Sequence, residues 1–297
     1  MHFKTIDYPR DSDIHTLADF AEILCLTDID GESGTESVKD QIYDNTNTTL
    51  SEEKLQDLMT QIRWRKEAFG RFYPFTNISK NNFDLVEGFS PQQKLYLALL
   101  MCANLPFIEK SSHKTLTDTF EIIAYKAFIE IWGPAGTVTT FGKNTSNYSG
   151  NKTERLNKLF SDIGNTSHFT PATFRIGDSG DGGIDLAAWI SLDEYQLSHH
   201  FSALAQCACS RSDWQRKQAE IKVDKFSSIS QVTNKWCEIL FTPICFRGNN
   251  GEWAVLADVS SGILFDRLRI INALQNQILT LPSLFSKLFN EKRGLTS

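Results

Sequence analysis

The strongest constraint in this chain lies in residues 177–217, where two short apolar runs are each broken by one polar side chain. The first is Ile184-Asp185-Leu186-Ala187-Ala188-Trp189 and the second is Leu204-Ala205-Gln206-Cys207-Ala208-Cys209. Both read as strands, and Gly180-Asp181-Gly182-Gly183 supplies residues that tolerate positive φ for a turn into the first. A polar group inside such a run must be hydrogen-bonded or put to use. Asp185 can bond backbone amides and Gln206 can satisfy a sheet edge; the alternative is that both serve a metal site. Ser212-Asp213-Trp214-Gln215 then reads as a capping box opening a helix that carries Lys217. Asp178 and Asp181 read as turn residues, and His199 and His200 as adjacent loop residues.

No run approaches the length of a membrane span, and the N-terminal MHFKTIDYPRDSDIH has neither a basic region nor an apolar core of a signal peptide. The expectation is a cytoplasmic protein without membrane attachment. Six cysteines, Cys25, Cys102, Cys207, Cys209, Cys237 and Cys245, form no CxxC pair, which fits reduced, buried thiols. Cys207 and Cys209 would face the same side of a strand, but no histidine pair accompanies them, which argues against zinc. A formal net charge of −6 excludes a chain coated in positive field and leaves room for a local basic groove. Two stretches supply one: Lys143, Lys152, Arg155 and Lys158, and then Arg211, Arg216, Lys217, Lys222 and Lys225.

Residues 1–50 mix short apolar groups with acidic and turn-forming clusters, so little regular structure is expected there. Asp28-Ile29-Asp30-Gly31-Glu32 lacks the onward spacing of a calcium loop and reads as a solvated turn. Ser51 caps a helix whose Leu55, Leu58, Met59, Ile62 and Ala68 repeat at helical spacing, with Arg63, Arg65, Lys66 and Arg71 as a solvated basic face. Ser90-Pro91 opens a buried helix over 92–102. A helix over 117–132 turns Phe120, Ile123, Ala124, Ala127, Phe128 and Ile131 to a core. Glu121 lies beside that stripe, as a boundary residue or as part of a site. Strands are expected over 239–246 and 253–258, and a helix over 263–281. The order predicts an α/β (α+β) protein with a mixed sheet flanked by helices. Residues 1–112 would form an acidic segment and helical extension, and 113–297 the sheet-bearing domain with its C-terminal helix.

Phosphodiester hydrolysis needs a hard cation to polarise the phosphoryl oxygen and acidify a water, and a positive group to hold that water. Asp185, the Gln206 side-chain oxygen and the Cys207 carbonyl would supply oxygens to Mg²⁺ (or Mn²⁺), with Lys217 ordering the water. Phe120-Glu121, Gly182-Gly183-Ile184-Asp185 and Gln206-Cys207-Ala208 resemble, in order and separation, motifs of the PD-(D/E)xK nuclease superfamily, in its Mrr-like restriction endonuclease branch. The similarity covers about residues 115–225. It implies a restriction-endonuclease-like fold and a metal-dependent nuclease site of Asp185, Gln206, Glu121 and Lys217. Ala208 stands where the family lysine would fall, and Lys217 resembles the variant in which the lysine has moved to the helix behind the strand.

Tyr73-Pro74-Phe75 and Phe265-Asp266-Arg267-Leu268-Arg269 resemble accessory structure of nucleases from bacterial phage-defence and restriction operons. The resulting expectation is a DNA endonuclease of prokaryotic antiviral defence, with Lys143, Lys152, Arg155, Lys158, Arg211 and Arg216 on the nucleic acid. No helix-turn-helix or zinc module is evident, so a partner ATPase or helicase of the same operon is expected to deliver the substrate. Self-association into a homo-oligomer is compatible with this. The alternatives are a non-catalytic interaction protein using the basic face over 63–71, and an RNase on the same scaffold.

Overall fold

The computed structural model describes residues 13–142, 147–173, 182–195, 197–227, 229–259 and 262–285. The N-terminal half contributes α1 (Ile14–Thr27), β1 (Glu32–Gly34), α2 (Thr35–Thr46), α3 (Glu52–Phe69), β2 (Phe75–Thr76), β3 (Asn82–Leu85), α4 (Pro91–Ala103) and α5 (Lys110–Trp132). There follow β4 (Thr137–Thr140), α6 (Lys152–Asp162), β5 (Thr166–Ser167), β6 (Leu186–Ile190), β7 (Phe201–Cys207), α7 (Trp214–Lys217) and α8 (Val223–Ser227). Then come β8 (Ser230–Gln231), β9 (Cys237–Phe241), β10 (Ile263–Phe265) and α9 (Arg267–Ala273).

Local sequence accounts for the helix ends. The Ser51 hydroxyl accepts from Lys54 N at 3.3 Å to start α3, and Ser90 and Gln93 form a reciprocal box with Pro91 in the first turn of α4. Gly133, with φ of 80°, stops α5.

The central sheet has the order β10-β9-β7-β6-β4. β4 and β6 pair antiparallel, as do β6 and β7, whereas β7–β9 and β9–β10 are parallel. Side chains alternate across it with the period of two that a strand imposes. Leu186, Ala188, Ala203 and Ala205 join the core that contains Phe120, Ala124, Ala127 and Phe128 of α5. Ala187 and Leu204 face the other way, into a cluster with Leu156, Leu159 and Phe160 of α6 and with Trp236. The architecture is thus a mixed five-stranded sheet flanked by helices.

Several expectations are overturned. Residues 14–46 hold two helices, and α1 is buried along most of its length, with Asp19 and Glu22 fully enclosed. Their acidity is matched internally: Arg65 bonds Asp19 Oδ1 at 2.7 Å and Glu22 Oε1 at 2.8 Å, and Arg267 bonds both Asp19 oxygens at 3.1 and 2.8 Å. Arg65 therefore leaves the solvated face assigned to it. α5 begins at Lys110, ahead of the division expected between 112 and 113, and one hydrophobic cluster holds buried residues from both sides of that position.

Residues 253–258 are not a strand; Trp253 makes one isolated bridge with Arg247, and Leu256–Val259 is a 3-10 turn. The helix expected over 263–281 divides into β10 and the short α9, because Asp266 caps a new helix by accepting from Arg269 N. Lys217 lies on a four-residue helix whose N-cap is Asp213, with no side-chain cap bond, so the Ser212 capping box is absent. Residues 28–31 lead into β1 through a bend, with Asp28 Oδ1 accepting from Asp30 N and Glu32 N. Among the described residues no helix is long and apolar enough to cross a membrane.

Candidate active site at the ends of β6 and β7

Gly182 and Gly183, with φ of 66° and 86°, turn the chain into β6. Asp185 follows and is fixed by its main chain: its N–H donates to Ala205 O at 3.0 Å. Its carbonyl accepts from Phe141 N at 2.7 Å and Gly142 N at 3.1 Å. Its carboxylate Oδ2 accepts from Cys207 N at 2.7 Å. One residue thereby ties together the ends of β4, β6 and β7.

Gly142 closes against this carboxylate. A Cβ placed on it would stand 3.6 Å from Asp185 Oδ1 and 3.8 Å from Glu121 Oε2, so a strand-end acid and a helix acid flank one small space. Burial, then the Asp185 and Glu121 carboxylates, pushes the Cys207 thiol well above its usual value. Burial, Cys102, Glu121 and Asp185 do the same for Cys209. The Lys217 ammonium opposes the rise at both sulfurs. Both thiols are protonated near neutral pH.

Gln206 is only 3 % exposed. Its Nε2 donates to Glu220 Oε2 at 3.2 Å, while its Oε1 is buried with no hydrogen-bond partner. Ala208 is buried in a small cluster with Trp214, Leu240 and Ile244, and its N–H donates to Phe241 O at 2.9 Å. Apolar packing thus occupies the strand position where a lysine would be sought.

The basic residues divide into three groups. Arg155 donates through Nη2 to the Phe141 and Gly142 carbonyls and lies 4.9 Å from the Phe141 ring centroid, so it buttresses the backbone behind Asp185. Arg211, expected on the nucleic acid, directs its guanidinium to Asp19, Thr16 and Asn104. The internal acid of α1 outcompetes solvent for it. Arg216 and Lys158 are exposed, Lys158 with its ammonium 5.4 Å from the Tyr148 ring centroid, and Lys152 is half-buried at the start of α6. Lys143, Asp178 and Asp181 lie outside the described residues.

Glu220 was not anticipated, and Lys225 was expected only as part of a basic stretch. Lys225 Nζ donates to Gly182 O at 2.6 Å and to Glu220 O at 2.8 Å, clamping the glycine turn from outside. Glu220 lies 14 residues from Gln206, beyond the reach of helix or strand periodicity. The one available signal was Gly183, whose missing Cβ would meet Glu220 Oε2 at 2.6 Å.

The donors brought together here are the two carboxylates of Asp185 and Glu121, oxygens of the kind a hard divalent cation takes; no contact joins the Gln206 amide oxygen to them. Among the described residues no three His, Cys, Asp or Glu side chains form a group that could hold a metal ion. Main-chain oxygens would have to complete such a set. No protein-family model, curated protein or solved structure matches the chain.

Proposed function

We propose that this chain is a Mg²⁺- or Mn²⁺-dependent phosphodiesterase of restriction-endonuclease-like architecture, acting as a DNA endonuclease in prokaryotic antiviral defence. The observation that carries the reading is the approach of Asp185 and Glu121 to one point beside Gly142. Asp185 and Glu121 would hold the cation. When bound, it would polarise the phosphoryl oxygen and acidify a water. Lys217 would donate a hydrogen bond to the attacking water and offset charge developing on the phosphorus oxygens. Arg155 holds the Gly142 carbonyl and so keeps the Asp185 backbone in register. Lys152, Lys158 and Arg216 remain for phosphate contact, and an ATPase or helicase partner would bring the substrate.

A second reading, a non-catalytic interaction protein, draws support from Ala208, packed among apolar side chains where a lysine would be sought. Its proposed surface is reduced, since Arg65 is buried and Arg71 bonds Gln275 O. The two readings separate on cleavage of plasmid DNA and of RNA with Mg²⁺ or Mn²⁺, comparing wild type with Asp185→Ala and Lys217→Ala. Each substitution should lower cleavage by about 10²-fold or more while the melting temperature stays near that of wild type. Wild-type cleavage by both variants would remove the site assignment, and faster cutting of RNA would reassign the substrate.

A further inference from the structure

Where the central sheet ends at β4, a cleft of about 240 Å³ opens between that strand and the end of α6. Thr137, Thr139, Asn147, Tyr148, Asp162 and Trp189 form most of its lining. Drug-sized sites run to roughly 300–1,000 Å³, so this one suits a single ring system. Two aromatic residues wall it: Tyr148 is buried, and Trp189, opposite Thr137 in the ladder, is half-buried. Trp189 stands about 13 Å along β6 from Asp185 at the rise of a strand, so the cleft is separate from the pair of acids.

The charged group in the lining is a carboxylate held in place. The Tyr148 hydroxyl donates to Asp162 Oδ2 at 2.8 Å. Burial, then this bond, pushes the phenol well above its usual value, so it stays a donor. Among the described residues no other hydrogen bond engages the Asp162 side chain. A carboxylate only accepts, at about four lone-pair sites, so the cleft calls for two N–H donors side by side. Asn147 and Thr139 are turned to one another, Asn147 Nδ2 donating to Thr139 Oγ1 at 2.9 Å. Beside the cleft the Lys158 ammonium lies 5.4 Å from the Tyr148 ring centroid. An organic cation would meet that like charge. A ligand with a phosphate at one end and paired N–H donors at the other is complemented at both.

We propose that this cleft binds a guanine nucleotide, with the base stacked on Trp189 and its N1–H and 2-amino group donating to Asp162, and with the phosphate at Lys158. Adenine and cytosine set an acceptor beside their amino donor, and uracil and thymine place one N–H between two carbonyls. Guanine alone among the common bases offers two adjacent donors on that edge. The proposal does not depend on the metal-dependent reading. It adds to it, because α6 runs from Arg155, which bonds the Gly142 carbonyl beside the two acids, to Asp162 in the cleft. The nucleotide is accordingly either free or an unpaired residue of a strand lying along α6.

The test is calorimetric binding of GMP, inosine monophosphate, AMP and CMP to the full-length chain in EDTA. GMP should bind tightest. AMP should bind more weakly by roughly 5–150-fold, the worth of one bidentate pair, and inosine monophosphate, which lacks the 2-amino group, should fall between them. Asp162→Asn keeps an acceptor for Tyr148 but turns an amide donor toward the base, so it should erase the guanine preference and leave AMP binding as in wild type. Trp189→Leu should weaken all four ligands alike. The ligand series on the wild type needs no variant, so a fall in melting temperature of either variant leaves the test standing. The pentamers d(TTGTT) and d(TTTTT) distinguish the sources. Tighter binding of d(TTGTT) assigns a residue of a strand, whereas GMP binding with no gain for that pentamer assigns the free nucleotide. AMP bound as tightly as GMP, no binding of GMP or d(TTGTT) at millimolar concentration, or a guanine preference that survives Asp162→Asn overturns the proposal. With the metal chelated, none of these results bears on the nuclease reading.

Discussion

At the residue scale, Arg65 shows how this molecule handles charge. Its guanidinium is enclosed between Asp19 and Glu22, with Arg267 on the far side of the same carboxylates and the Tyr73 and Tyr96 hydroxyls donating to Glu22. Burying such ions is costly unless every partner is present, so removal of one is severe. Arg65→Met should cost about 3–5 kcal/mol in urea unfolding, against well under 1 kcal/mol for the exposed Arg216→Met. Burial pushes the Asp19 carboxyl up, but Arg267, Arg65 and Arg211 outweigh it and hold the group well below the ordinary carboxylate range.

His15 behaves oppositely: burial, then the Arg211 charge, lowers it from 6.5 to about 3, with Arg65 and Arg267 adding to the shift and Asp19 opposing it. Folding therefore keeps this ring neutral, and its contribution is fully present above pH 6.5. As the pH falls from 6.5 toward 3 the unfolded chain takes up a proton that the native state refuses. Stability at pH 5 should be lower by about 2 kcal/mol than at pH 7 from this group, a loss that His15→Phe should remove from the pH profile of urea unfolding. Part of this was legible: Leu55, Leu58, Ile62 and Phe69 mark the buried stripe of α3, and Arg65 stands within it, three residues after Ile62. A charge on an apolar stripe was the signal. Its partners lie 43 and 46 residues away in α1, where no local pattern points.

At the scale of elements, the site depends on how β6 is entered. The strand pair was readable because its apolar runs alternate between two cores, and Asp185 and Glu121 drew notice because each interrupts or borders such a run. The clamp over the turn was not, since 218–225 is a short, irregular segment whose role is set by tertiary contact. Gly183 records it: φ is 86° and Glu220 Oε2 stands 2.6 Å from the missing Cβ. Gly183→Ala should therefore destabilise the fold by roughly 1–3 kcal/mol in chemical denaturation. An unchanged midpoint would mean that neither the backbone conformation nor the Glu220 contact is fixed. The C-terminal helix was overextended for a related reason. The apolar spacing from 264 to 278 fits a helix, yet Ile263–Phe265 pairs in parallel with β9, and Asp266 starts the helix only afterwards.

At the scale of the whole molecule, the N-terminal half is part of the core. Asp19 of α1 meets Arg211 after β7 and Arg267 of α9, and α5 spans the position where a boundary was drawn. A fragment of residues 113–297 would keep Arg267 and lose both acids that neutralise it. With whole-domain stability of about 5–15 kcal/mol, that loss and the exposed core outweigh what remains. The fragment should lack a cooperative thermal transition and bind a hydrophobic dye; a sharp native-like melt would show that the halves fold independently. Acidic residues matched by internal arginines also mean that the net charge of −6 says little about the surface around Asp185. The most direct measurement is cleavage of supercoiled plasmid by the full-length chain with Mg²⁺ or Mn²⁺, wild type against Asp185→Asn, at matched melting temperature. The expected result is metal-dependent nicking by the wild type and a loss of about 10²-fold or more in the variant. Equal nicking by both proteins, or wild-type nicking that persists in EDTA, would contradict it.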